Sequence, residues 1–118
     1  MAAYLINHLR QPGVMQSEVL DYLEQVQATL DPFDGRFIVQ GGDVQVLEGC
    51  WAQSVIVVSF PDMAKARAWY ASPPYRTILH LRTDHLVGDV ILVDGVVADH
   101  TPANFAEKLR KLIGAVGR

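Results

Sequence analysis

Cysteine is nearly absent from this sequence of 118 residues, in which Cys50 is the only one. A single cysteine excludes a disulfide within the chain and a zinc site built from several cysteines. Reactive thiolates are stabilised by basic neighbours, and the residues beside Cys50 include none, while Glu48 lies two positions before it. We therefore expect Cys50 to be an unreactive thiol.

Long apolar runs are missing too. They span only a few residues, as at 55–58, whereas a membrane-spanning helix needs about 20. The N-terminus has neither the basic nor the apolar segment of a signal peptide. Because half of the residues (50%) are apolar, the composition excludes intrinsic disorder. These observations predict one cytoplasmic, soluble domain over residues 1–118.

An excess of positive charge is also lacking. Ten basic and thirteen acidic residues give a net charge of −3 and a pI near 5.7. Nucleic-acid-binding domains are usually basic, and anionic membrane surfaces attract basic segments. We therefore expect neither a nucleic acid nor a membrane as a partner.

The motifs of common cofactor and nucleophile sites do not occur. Gly41-Gly42 is followed by Asp43 and by no helix, unlike a phosphate-binding loop, and there is no Gly-x-Ser-x-Gly elbow. The histidines lie in separate segments without metal-ligand spacing; they are His8, His80, His85 and His100. We expect no cofactor and no bound metal.

A regular succession of strand and helix patterns is present. Period-two patterns predict strands at 4–9, 36–40, 54–60 and 89–93, and Val44–Leu47 can resume extended structure. Helical periodicity predicts helices at 15–30 and 62–71, another capped by Ser72 before Pro73, and a last one from Thr101. The order β-α-β-β-α-β predicts an α+β, ferredoxin-like fold with the helices on one face of an antiparallel sheet. Its core would span residues 3–95, with an additional helix over 101–117.

The strands at 54–60 and 89–93 are apolar on both faces. In a lone ferredoxin-like unit the helices cover one face only, so the other would expose a larger apolar patch than monomers usually tolerate. Two copies packed sheet to sheet would bury it, and two-fold dimers are the commonest oligomers. The sequence therefore predicts a homodimer; the alternative is that the C-terminal helix folds back over the open face.

Several short motifs follow one another between Gly41 and Arg82. They are Gly41-Gly42, Val46-Leu47-Glu48-Gly49 with Trp51, Phe60-Pro61, Ala66, Ala68-Trp69-Tyr70, Ser72-Pro73-Pro74-Tyr75 and Arg82. The ordered set resembles an uncharacterised family called domain of unknown function 1330, although Cys50 stands where that family is commonly acidic and Gln40 where it is often basic. The resemblance implies a dimeric α/β barrel. It also implies cofactor-independent chemistry, such as oxygenation or isomerisation, on flat organic molecules.

Arg82 is the strongest candidate for a functional side chain. It lies seven residues after Tyr75, so the two share one helical face. A guanidinium beside an apolar stripe can clamp a carboxylate or enolate through two hydrogen bonds. The alternative is a surface arginine paired with Asp84 or Asp89.

Three further residues are candidates. Asn7 shares a strand face with Leu5, where a buried polar group needs a hydrogen-bond partner. Trp69 could stack on a flat ligand, although a large aromatic at helical spacing is more often a core residue. His8 faces the other way and is the candidate proton carrier; the alternative is a histidine whose hydrogen bonds are completed within the protein.

We hypothesise that Arg82, Tyr75, Trp69 and Asn7 converge on one small-molecule site, with Arg82 and His8 as the catalytic side chains. A non-catalytic small-molecule-binding or stress-related module is the second hypothesis, and a dimer whose motifs only specify packing is the third. A cavity lined by unpaired polar groups favours the first two hypotheses. A cavity filled by Trp69 and Tyr70 favours the third.

Overall fold

The computed structural model describes residues 1–11, 15–51 and 54–116. Within them, the strands are β1 (Ala3–Gln11), β2 (Arg36–Val39), β3 (Val55–Phe60) and β4 (Val87–Asp94). The helices are α1 (Ser17–Leu30), α2 (Met63–Ala71), α3 (Pro73–Thr83) and α4 (Pro102–Val116), and a 3-10 turn follows α1 at Asp31–Phe33. Residue 117, the expected end of the last helix, lies outside the described residues.

The sheet is antiparallel and has the strand order β2-β3-β1-β4. Since a helix rather than a hairpin joins β1 to β2, β3 can lie between them, which gives the split βαβ arrangement. β1 is therefore central, paired with β3 on one side and β4 on the other. This α+β, ferredoxin-like architecture confirms the predicted fold class.

The two faces of the sheet differ because side chains alternate along each strand. On β1, Leu5 and Asn7 are buried beneath the helices, whereas Ile6 and His8 on the opposite face are half-buried. We call these the covered face and the open face. The core beneath the helices consists of Ala3, Leu5, Tyr22, Val26, Leu30, Val58, Phe60, Ala66, Trp69, Tyr75 and Ile78.

The turn between α1 and β2 brings the chain close to this core. Asp34 adopts the left-handed conformation, with φ of 56°, which aspartate tolerates better than most residues. A Cβ at Gly35 would lie 2.6 Å from Leu30 Cδ2 and 2.9 Å from Phe60 Cε1. The backbone can pass this close to Leu30 and Phe60 because the residue is glycine.

Side chains cap the N-termini of α2 and α4, but the cap predicted at Ser72 of α3 is absent. Asp62 Oδ1 accepts a hydrogen bond from Lys65 N at 2.8 Å, and Thr101 Oγ1 accepts one from Asn104 N at 3.1 Å. The Ser72 hydroxyl instead donates to the carbonyl of Trp69 at 2.7 Å, so the expected cap is wrong. Proline in the first turn of α3 suits a helix start because it has no N–H to cap.

Residues 40–51 contain no strand, so the expected extension at Val44–Leu47 is wrong. β2 is the edge strand of the sheet, and this segment does not pair with its free edge in the described structure. Gly41 and Gly49 have φ of 72° and 75°, a conformation that glycine adopts at little cost. The segment returns to the open face, where Trp51 stacks on His8 with ring centroids 4.0 Å apart.

α4 projects away from the sheet. Its large apolar side chains are 41% to 70% exposed; they are Phe105, Leu109, Leu112 and Ile113. The radius of gyration is 17.6 Å, against about 13 Å for a compact domain of 100 residues. α4 therefore does not cover the open face, where Ile91 of β4 is 53% exposed.

Among the described residues, no helix combines the length and the hydrophobicity of a transmembrane segment.

Candidate ligand-binding cavity

A cavity of about 40 Å³ lies between the sheet and the helices. Its floor forms where β1 meets its neighbours, because Asn7 lies opposite both Ile56 of β3 and Val90 of β4. Its roof comes from α1, α2 and α3 and consists of Tyr22, Leu23, Val26, Leu30, Trp69, Tyr75 and Arg82. A space of this size holds a few water molecules or the polar head of a larger ligand.

Three polar side chains meet in the roof. The hydroxyl oxygens of Tyr22 and Tyr75 are 2.9 Å apart, and Arg82 Nη2 donates to the Tyr75 hydroxyl at 3.4 Å. The Arg82 guanidinium also lies 5.7 Å from the centroid of the Tyr22 ring. The seven-residue spacing thus places Tyr75 and Arg82 on one face of α3, as predicted, and directs the guanidinium towards α1.

The roof carries a positive charge. Burial raises the pKa of Tyr22 well above its usual range, and the neighbouring Tyr75 raises it further, so Tyr22 stays neutral. Burial by itself lowers the pKa of Arg82, but the interactions with Tyr75 and Tyr22 outweigh it, and the net shift is upward. Arg82 therefore remains a cation beside the neutral Tyr22 phenol.

Arg82 has no carboxylate partner among the described residues. The ion pairs there are Arg10–Asp89, Lys65–Asp34 and His85–Glu18. Asp89, one of the two partners expected if Arg82 were a surface residue, is taken by Arg10 at 2.7 Å. The guanidinium charge is thus balanced by no described side chain.

Asn7 provides an unpaired acceptor on the cavity floor. The residue is 4% exposed, and its Oδ1 is buried without a hydrogen-bond partner in the described part of the chain. A buried acceptor left unsatisfied costs about 1–3 kcal/mol. Gly88 of β4 leaves room for this atom, since a Cβ there would lie 2.9 Å from Oδ1.

Trp69 lines the cavity but is held as a core residue. Its indole N–H donates to Thr29 Oγ1 at 3.0 Å, and its ring lies 4.0 Å from that of Tyr75, centroid to centroid. Its polar group is therefore satisfied within the protein, and its ring supports Tyr75. Tyr70 is half-buried and does not line the cavity, so these two aromatic residues do not fill it.

The cavity leads outward to an open groove between α1 and β2. This outer groove has a volume of about 440 Å³ and is lined by Leu23, Val26, Gln27, Phe37 and Gln40. Four of these residues also line the cavity: Leu23, Val26, Phe37 and Gln40. A ligand could therefore place a small group in the cavity and a larger body in the outer groove.

Of the five site residues named from the sequence, four line the cavity and one does not. Asn7, Trp69, Tyr75 and Arg82 are brought together as hypothesised. His8 lies on the open face, where it stacks on Trp51. In one chain, His8 therefore cannot exchange a proton with a ligand in the cavity.

Tyr22 is the site residue that sequence reasoning missed. It lies on the buried stripe of α1 with Val19 and Val26, where it looks like an ordinary core aromatic. The available signal was the hydroxyl group, because a buried phenol usually has a hydrogen-bond partner.

The described residues include no group of three or more His, Cys, Asp or Glu side chains that could hold a metal ion. Cys50 is exposed and free.

The comparisons with known proteins bear mainly on the fold. A family described as Domain of unknown function (DUF1330) matches residues 2–96, and no protein of curated function matches the sequence. Among solved structures, the chain is similar to RPA0582, a protein of unknown function from Rhodopseudomonas palustris, with a TM-score of 0.63 and 15% identity over 81% of this chain and 83% of that chain. This likeness supports the fold described above.

Two further structures are similar over most of the chain. An antibiotic biosynthesis monooxygenase gives a TM-score of 0.49 and 15% identity over 82% of this chain and 100% of that chain. A dimeric ferredoxin-like protein of unknown function from Thermobifida fusca gives a TM-score of 0.45 and 20% identity over 82% of this chain and 92% of that chain.

Proposed function

Because the chain belongs to the DUF1330 family, and the matched residues 2–96 include every residue of the cavity, we propose that the cavity carries the function of the protein. It binds a small organic molecule and acts on it without a cofactor, as an oxygenase- or isomerase-like enzyme. Arg82 stabilises negative charge on a ligand oxygen. Tyr75 and Asn7 orient the ligand by hydrogen bonds, and Trp69 holds Tyr75 in place.

The observation that carries this proposal is the pairing of an unbalanced cation with an unpaired acceptor across one cavity. Arg82 has no described carboxylate partner, and Asn7 Oδ1 has no described hydrogen-bond donor. A fixed charge aimed into a largely dry site stabilises a developing oxyanion far better than water does. The Arg82 charge and the Asn7 acceptor each lack a described partner, and a ligand would supply both.

Non-catalytic binding is the second candidate function, and the composition of the cavity wall favours it. Among the described residues, no histidine, carboxylate, lysine or cysteine lines the cavity. The two phenols are therefore the only groups there that could move a proton. A binding protein needs no such group, whereas an isomerase does.

We also propose that the protein is a cytoplasmic homodimer whose subunits pack through their open faces. Exposed apolar residues on both edges of the sheet support this, including Ile38 of β2 (55%) and Ile91 of β4 (53%). Sheets packed face to face lie about 10 Å apart, which would bury these side chains. Sedimentation at micromolar concentration should give twice the chain mass, and a monomeric mass would contradict the proposed dimer.

Nuclear magnetic resonance (NMR) with a library of small organic fragments tests the proposed function. We expect some fragments to shift the signals of Tyr22, Tyr75 and Trp69 in the wild type and to lose this effect in Arg82→Ala. Arg76→Ala is the matched control. Arg76 lies on the same helix, with its guanidinium 4.6 Å from the Tyr70 ring centroid, and it does not line the cavity.

The same experiment separates the two candidate functions. A bound fragment whose mass or isomeric form changes during incubation with the wild type, but not with Arg82→Ala, identifies an enzyme. A fragment that binds and stays unchanged identifies a binding module. If no fragment perturbs the cavity residues, the proposed function is wrong.

A further inference from the structure

The cavity roof has more hydrogen-bond donors than the described protein groups use. The two phenols carry two O–H protons, and the single bond between Tyr22 and Tyr75 uses one of them. Arg82 carries five N–H groups, and Tyr75 accepts from one. Whichever phenol donates to the other, one O–H proton and several N–H groups remain for an acceptor in the cavity.

The cavity floor has the opposite need. Asn7 Oδ1 can only accept a hydrogen bond, and no described group donates to it. A ligand that satisfies both sides must therefore carry an acceptor towards the roof and a donor towards the floor. A plain hydrocarbon or an ester would leave at least one side unpaired.

The charge of the walls limits the ligand further. Arg82 is the only charged residue among the described lining residues of the cavity and the outer groove. One negative charge balances it, whereas a dianion such as a phosphate monoester would bring a second charge without a partner into a partly desolvated space. Desolvating an unpaired charge is strongly unfavourable, so the walls fit a monoanion.

The shape of the site separates a small polar end from a larger apolar one. The cavity between Arg82 and Asn7 measures about 40 Å³, while the outer groove, at about 440 Å³, is bordered by Leu23 and Phe37. The charged head of the ligand must therefore be compact, and its body must be mostly apolar.

From these four observations we infer that the ligand is a 2-hydroxy carboxylic acid with an apolar body. Its carboxylate accepts from Arg82 and a phenol, its hydroxyl donates to Asn7 Oδ1, and its body occupies the outer groove. The inference rests on the proposed function, because it names the ligand class of the same cavity.

Three probes that share a phenyl group test this inference by calorimetry on the wild-type protein. Mandelate has both the carboxylate and the hydroxyl, phenylacetate lacks the hydroxyl, and methyl mandelate lacks the charge. We expect mandelate to bind most tightly. Phenylacetate should bind about three- to tenfold more weakly, as for one lost hydrogen bond, and methyl mandelate at least about tenfold more weakly, as for a lost charge-assisted pair.

Single substitutions test which side chain causes the preference for the hydroxyl group and which causes the preference for the carboxylate. Asn7→Leu should equalise mandelate and phenylacetate while both still bind more tightly than the ester. Arg82→Gln should remove the preference for the carboxylate, and Arg76→Gln should change neither preference. If Asn7→Leu fails to fold, Gly88→Ala tests the role of Asn7 instead. The added methyl group would lie 2.9 Å from Asn7 Oδ1, so it should weaken the binding of mandelate more than the binding of phenylacetate.

The ligand class and the proposed function can fail separately. Equal binding of all three probes, or preferences that survive Asn7→Leu and Arg82→Gln, would overturn the 2-hydroxy acid and leave small-molecule binding in place. No binding of any probe at millimolar concentration would also overturn the ligand class. The fragment experiment above, which does not depend on these probes, then decides the proposed function.

Discussion

The covered and open faces of the sheet are built from the same strands, yet within a single chain they differ in how much of their apolar surface other elements cover. On the covered face, Leu5 and Val58 are at most 6% exposed, and Asn7, at 4%, lines the cavity. On the open face, the next residues along the strands stay accessible, with Ile91 at 53%. Alternation along a strand supplies two apolar surfaces, and the helices cover only one of them.

The polar groups are distributed unequally as well. Three hydrogen-bonding residues without full partners, Asn7, Tyr75 and Arg82, are enclosed on the covered face. The open face has an aromatic pair, His8 and Trp51, at its margin. The proposed ligand site thus lies on the covered face, and the proposed dimer interface lies on the open face.

Replacing a core aromatic on the covered face should have the largest effect. Trp69 is 2% exposed and contacts the rings of Phe60 and Tyr75, so Trp69→Ala should lower the free energy of unfolding by about 3–5 kcal/mol. Trp69→Phe keeps a ring but loses the bond to Thr29, and it should cost less. Urea denaturation measures both, and a cost below about 1 kcal/mol for Trp69→Ala would contradict a rigid core there.

A charge on the open face should break the dimer without unfolding the chain. In Ile91→Asp, association would bury an unpaired carboxylate, which is strongly unfavourable, so the dissociation constant should rise at least about tenfold, a change of about 1.4 kcal/mol. Leu20→Asp is the control, because Leu20 is 47% exposed on the outer surface of α1. Sedimentation should show monomers for Ile91→Asp only; dimers of unchanged affinity would place the interface elsewhere.

The smallest effect concerns alkaline stability. The unfolded chain releases the Tyr22 proton near pH 10, whereas the folded protein, in which burial raises this pKa, holds the proton to higher pH. The contribution of this raised pKa to the free energy of unfolding is fully present below about pH 10. It is lost as the pH rises through the pKa of Tyr22 in the folded protein. Tyr22→Phe, which costs about 1 kcal/mol at neutral pH through its lost hydrogen bond, should therefore approach wild-type stability as the pH rises above 10.

Thermal unfolding across this range measures the effect. Tyr4→Phe, on the half-buried open side of β1, is the control and should follow the wild-type slope. A constant difference between wild type and Tyr22→Phe at every pH would show that Tyr22 ionises normally in the folded protein.

The sequence predicted the elements and the face of each strand because these depend on local periodicity. Strand alternation alone placed Asn7 on the same face of the sheet as Leu5 and placed His8 on the other face. The seven-residue spacing placed Tyr75 and Arg82 on one face of a helix. These inferences needed no knowledge of how the elements pack.

The errors arose where hydrogen bonds and packing contacts that periodicity does not encode decide the outcome. Ser72 has a good capping side chain, but the carbonyl of Trp69 lies within reach and accepts its hydroxyl. Val44–Leu47 has strand-forming residues but does not pair with β2, the edge strand that precedes it. Tyr22 became a site residue only because α3 packs against α1 and brings Tyr75 to it.

The unpaired amide oxygen of Asn7 also has a consequence for the stability of the protein. An apolar side chain of similar size would fill the same position without the cost of about 1–3 kcal/mol that a lone buried acceptor imposes. Selection for thermal stability alone would therefore favour leucine at this position. Asparagine at this position therefore keeps the protein below its attainable stability, the kind of trade-off between stability and activity that functional sites show.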